Sequence, residues 1–90
     1  MSVKINIHTE LQQYTNNQET VEVNGTTVGQ CIDGLIKQFP KMKKGLFDKN
    51  GRLFNYIDIY VNLESSYPEE LAKKVEDGDE LHITIMAVGG

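Results

Sequence analysis

The chain carries one cysteine, Cys31, so no internal disulfide can form and folding does not depend on an oxidising compartment. Four-cysteine iron–sulfur chemistry is excluded by the same count. Long apolar runs are absent: nothing approaches the ~20 residues of a membrane-spanning helix, and the polar N-terminus has no signal-peptide core. Positive charge is scarce. Nine basic residues against thirteen acidic ones leave a net −4, which argues against a nucleic-acid partner and against anchoring on an anionic membrane. Repeats, linkers and low-complexity segments are lacking too. A single cytoplasmic domain is the expectation, since 39% hydrophobic content over 90 residues supplies one core and not two.

Catalytic groups are equally few. A nucleophile needs a base beside it, yet Cys31 falls on an apolar helical stripe while His8 and His82 fall on strands that point away from it. The two histidines would stand side by side on an open sheet face if their strands pair, but with no third ligand they read as surface histidines and not as a metal site. Gly25 and Gly51 sit in turns without the strand-to-helix glycine loop of a phosphate cradle. Glu69, Glu70, Asp77, Asp79 and Glu80 read as a solvated acidic edge. No catalytic residue, no metal and no bound cofactor is expected.

What is present is alternation. Val3–His8 places Val3, Ile5 and Ile7 on one face, the period-2 pattern of a half-buried strand. Thr9–Gln18 is polar, turns at Asn16-Asn17, and tucks Leu11 and Tyr14 against the core edge. Glu19–Val23 alternates again and forms a hairpin with the first strand. Thr27 and Gln30 have capping-box spacing, and Val28, Cys31, Ile32, Leu35, Ile36 and Phe39 then make one apolar stripe of a helix that Pro40 stops. Gly34 lets that helix sit close to the sheet, and Lys41–Lys44 reads as a solvated connection. After the Asp48–Gly51 turn, Phe54–Leu63 predicts the strongest strand, with Ile57, Ile59, Val61 and Leu63 inward. Glu64–Glu70 is an irregular crossing, and Leu71–Val75 has room for one helical turn or a minor strand. The Asp77-Gly78-Asp79 turn leads into a last strand with Leu81, Ile83 and Ile85 inward. This order predicts an α+β fold, a mixed four- to five-stranded sheet with one main helix on one face and the other face open. The β-grasp roll is the common solution at this length.

Two features are left over. The last strand runs into Ala87-Val88-Gly89-Gly90, so residues 1–86 read as the domain and 87–90 as a flexible tail. Glycine is roughly 7% of average composition, so a chance terminal pair arises about 0.5% of the time. By strand parity Phe54, Tyr56, Tyr60 and Met86 all face outward, which suggests a contiguous apolar patch and hence a partner surface near the tail.

Four segments carry a resemblance: Val21–Gly29, Tyr56–Asn62, Asp77–Leu81 and Met86–Gly90. Together and in this spacing they resemble the ubiquitin-like sulfur-carrier proteins, the family of the molybdopterin synthase small subunit and the thiamine-pathway carrier. The likeness is greatest to the branch serving cysteine biosynthesis, although Met86 stands where that branch commonly has proline. The resemblance implies that an ATP-using adenylating enzyme activates the Gly90 carboxylate, and that a thiocarboxylate then delivers sulfur to an accepting synthase. Gly89, Val88 and Ala87 would provide passage into the partner, and Phe54, Tyr56, Tyr60 and Met86 its docking. It equally accommodates a protein modifier joined through Gly90 to a lysine. A β-grasp interaction module with an incidental tail is the third reading.

Overall fold

The computed structural model describes residues 2–86. Alternating apolar residues make its five strands: β1 (Ser2–Ile7), β2 (Thr20–Asn24), β3 (Ile57–Val61), β4 (Glu64–Ser65) and β5 (Glu80–Ile85). They form one mixed sheet in the order β2-β1-β5-β3-β4. Register aligns the inward residues into rows across it. Val21 pairs with Ile5, Ile5 with Leu81 and Leu81 with Val61; Ile7 pairs with Ile83 and Ile83 with Ile59. All of these are buried. A one-residue slip of any strand would turn its whole apolar set to water, so burial itself fixes the register.

Helix α1 (Val28–Gln38) covers the inward face with buried Val28, Cys31, Ile32 and Leu35. Its start is the expected cap: the Gln30 N–H donates to Thr27 Oγ1 at 3.1 Å. The reciprocal arm reaches one residue further back, where Gln30 Oε1 accepts from the Thr26 N–H and hydroxyl at 2.8 and 2.9 Å. Burial raises the Cys31 thiol pKa above its ordinary value and keeps it protonated. Among the described residues no buried side-chain polar atom lacks a partner. Thr15, fully buried, donates its hydroxyl to the Gln18 carbonyl at 2.9 Å.

Two stretches, Lys41–Lys44 and Phe54–Leu63, differ from expectation, and two others, Thr9–Tyr14 and Leu71–Val75, keep it with added local structure. Lys41–Lys44 is not a plain connection: Met42–Leu46 forms a short helix, α2, because Met42 and Leu46, four apart, both reach the core and are fully buried. Thr9–Tyr14 is a 3₁₀ turn capped by His8, whose Nδ1 accepts from the Glu10 N–H at 3.1 Å. The strand expected over Phe54–Leu63 is confined to Ile57–Val61. At its start the Ile57 N–H bonds back to the Phe54 carbonyl and closes a turn; at its end Asn62 takes φ 57° and reverses the chain into β4. Leu63, expected inward, therefore sits at a hairpin tip and is 88% exposed. The segment Leu71–Val75 combines both options, since a 3₁₀ turn (Glu70–Ala72) precedes a single bridge between Lys74 and Thr27.

Gly34 does lie against β2, but a Cβ there would meet Val23 Cβ at 3.4 Å, an ordinary contact, so proximity does not require glycine. Gly45 is different: a Cβ would stand 2.8 Å from the Tyr14 ring. Urea unfolding should therefore show Gly45→Ala destabilised by about 1–3 kcal/mol through overpacking. Gly34→Ala should be neutral or stabilised by up to about 1 kcal/mol through helix propensity.

Candidate functional site

β5 lies inside the sheet, with β1 on one side and β3 on the other. Leu81 and Ile83 anchor it in the core, and at its far end Ile85 is half-buried and Met86 is 46% exposed. The Met86 N–H donates to the Tyr56 carbonyl at 2.7 Å, which continues the β3–β5 ladder by one bond and fixes the backbone of Met86. Gly90, expected to carry the sulfur, and Gly89, Val88 and Ala87, expected to give it passage, lie outside the described residues.

Around Met86 the sheet end is built from turns. Phe54 is tied to the end of α2 by its N–H bond to the Leu46 carbonyl, 2.9 Å. Its ring stacks on Tyr56 with centroids 5.0 Å apart and planes 10° from parallel. The pair lines a groove of about 540 Å³ together with Leu11, Tyr14, Gly45 and Ile85, with Glu10 and Lys44 at its rim. A second hollow, about 510 Å³, is lined by Phe54, Asn55, Asp58, Tyr67 and Met86. Tyr67 is 74% exposed there.

Tyr60 is elsewhere. It pairs with His82 on the open face, three residues along β3 from the Ile57–Ile85 pair that ends the ladder, roughly 10 Å away at strand rise. There it lines a shallow, almost wholly apolar groove of about 260 Å³ with Asn62, Leu63, His82 and Thr84. The four aromatic and methionine positions expected to form one patch thus divide into two. Parity cannot be carried back from Ile57 to Phe54 and Tyr56, because the turn at Asn55-Tyr56 breaks the strand and packs both rings partly against the core edge.

Leu63 and Tyr67 were not anticipated as surface groups. An Asn that readily takes a left-handed conformation between two strand-forming runs is the signal that marks Leu63 as a hairpin tip. Tyr67 carries no such signal. His8 and His82 do not meet as a pair: His82 lies opposite Asn6 and Tyr60, while His8 caps the 3₁₀ turn. Among the described residues no group of three His, Cys, Asp or Glu side chains is placed to hold a metal. None of the helices there is long and apolar enough to cross a membrane.

No protein-family model matches the sequence. The chain is 32% identical to the sulfur carrier protein CysO of Mycobacterium tuberculosis over 93 aligned positions that cover all of both chains. It is 31% identical to small archaeal modifier protein 1 of Haloferax volcanii over 71 residues, 78% of each chain. Among solved structures, a chain of the Amycolatopsis orientalis BexX/CysO complex superimposes with a TM-score of 0.86 at 32% identity, covering 98% of this chain and 99% of that one. The crystal structure of small archaeal modifier protein 1 from Haloferax volcanii gives 0.86 at 26% identity with full coverage of both.

The geometry separates residues that hold the site from residues free to meet a partner. Phe54→Ala removes a stacked, partly buried ring and should lower unfolding free energy by about 1–3 kcal/mol. Leu63→Ser, at the hairpin tip, should stay within about 0.5 kcal/mol of the parent in the same urea titration.

Proposed function

Because the chain belongs to the ubiquitin-like sulfur-carrier family, we propose that its working group is the Gly90 carboxylate and that other proteins perform the chemistry on it. The full-length similarity to a sulfur carrier carries this reading. A terminal carboxylate has a pKa near 3.5 and is ionised at neutral pH, hence a poor electrophile. An adenylating partner overcomes this with ATP: a carboxylate oxygen attacks the α-phosphorus, pyrophosphate leaves, and an acyl-adenylate results. Sulfide, free or released by a sulfur donor, attacks the acyl carbon, AMP leaves, and Gly90 carries a thiocarboxylate. An accepting synthase then takes the sulfur for cysteine, molybdopterin, thiamine or tRNA thiolation, and hydrolysis by water restores the carboxylate.

The carrier's contribution is presentation. Fully extended, Ala87–Gly90 spans roughly 13–14 Å, enough to enter a partner's active site while the domain stays outside it. Gly89 and Gly90 add no Cβ to a narrow, water-excluding passage. Docking falls to Phe54, Tyr56 and Met86 at the rim and to Tyr60 on the open face. ATP belongs to the partner, and this chain contributes no catalytic side chain. The cytoplasm, where such biosynthesis takes place, is the proposed location.

A second reading rests on the similarity to an archaeal modifier protein: the same activated acyl group joined to a lysine amine as an isopeptide. Intact mass spectrometry of the chain isolated from its own cells distinguishes the two. The carrier reading expects a species heavier by one sulfur-for-oxygen exchange on Gly90. High-mass conjugates without that species would favour the modifier. One alanine appended after Gly90 should abolish either product; an unimpaired extended chain would refute both readings.

A further inference from the structure

Between Asp33 and Asp48 the chain has no acidic residue and four lysines, Lys37, Lys41, Lys43 and Lys44. They contribute +4 to a chain whose total is −4, so the remaining residues carry −8. The fold gives this separation a direction. β1 and β5 run parallel, and both end at the edge where Met86 leaves the sheet. The C-terminal end of α1, the Thr9–Tyr14 turn and α2 gather at the same edge, and Lys44 and Gly45 line one groove with Tyr56 and Ile85. Buried Met42, Gly45 and Leu46 hold α2 in place and leave Lys41, Lys43 and Lys44 exposed around it. Glu76, Asp77, Asp79 and Glu80 collect at the opposite edge, where Asp77 accepts from the Ser2 N–H at 2.7 Å and the Asp79 carbonyl accepts from the Lys4 N–H at 3.2 Å. Glu10 is the acid that shares the groove with Lys44.

We infer that this lysine collar is a docking surface for an acidic protein face, the one framing the tail's entrance on the adenylating partner. The inference rests on the carrier reading and deepens it. A tail reaching roughly 13–14 Å delivers its carboxylate only if the domain seats with this edge toward the partner. A molecule polarised along its sheet is turned that way before contact by a complementary field. The −8 carried elsewhere repels extended polyanions such as nucleic acid or an anionic bilayer, whereas a local acidic rim meets only the collar.

The test is tail-dependent ATP–pyrophosphate exchange by the adenylating enzyme, purified from the source cells by that activity. At low salt K41E/K43E/K44E should lower kcat/KM about tenfold, mainly through KM, and K41Q/K43Q/K44Q by a smaller factor. The advantage of the parent should shrink as salt rises, because the screening length falls from ~30 Å at 0.01 M to ~3 Å at 1 M. K73E/K74E, at the far edge beside Thr27, should match the parent. Equal kcat/KM in parent and collar variants overturns the docking inference alone. A collar variant that keeps its exchange rate but loses salt-sensitive retention on single-stranded RNA assigns the surface to nucleic acid and overturns it as well. No exchange with the parent chain overturns the proposed function and this inference together.

Discussion

The parallel pairing of β1 with β5 is the constraint on which the rest of the structure depends. It joins Ile5 to Leu81 and Ile7 to Ile83, residues some 76 positions apart, and so closes nearly the whole chain into one sheet. Closing so long a loop costs entropy before any contact offsets it, and four fully inward side chains at the join supply that compensation by burial. The pairing places the last strand between two others, and Leu81–Ile83 have a ladder on either side. Whatever follows Met86 therefore leaves from a strand that cannot shift in register without exposing the core.

That rigidity suits a carrier. A domain that presents its own end to other proteins needs a fixed point from which the end departs and a surface that orients it, and it needs no reactive groups elsewhere. The free thiol is consistent with this: Cys31 is wholly buried and its pKa is raised, so it packs as a small apolar residue and offers no competing nucleophile. The sheet's uncovered face, with Tyr60, His82 and Thr84, and the turn-built rim around Phe54 and Tyr56 are two separate surfaces. A carrier that meets partner proteins has a use for both.

Much of this was legible in the residue pattern. Period-2 alternation located four strands and their inward faces, and the 3.6-period stripe with its Thr27 cap located α1. The misplacements share a cause. Lys41–Lys44 looked solvated because three lysines outweigh one methionine in composition, yet Met42 is the residue among them that reaches the core. Phe54 and Tyr56 looked outward because parity was extended through a turn whose only mark is a backbone bond from Ile57 to Phe54. β4 was missed because two residues are too few to show any period.

Sequence alone determined the core-facing side chains within the four long strands, where the single long helix begins and ends, and what family the chain resembles, because these follow from local periodicity and short segments; Leu63 and Met42, outside that periodicity, it misplaced. Only the tertiary structure decided that the last strand sits inside the sheet, that the aromatic residues divide between a rim and a face, and that Lys44 shares a groove with Ile85 at the end of that strand. Those are relations between residues far apart in the chain. No local pattern contains them, since they are set by which strand pairs with which and by where turns interrupt the alternation.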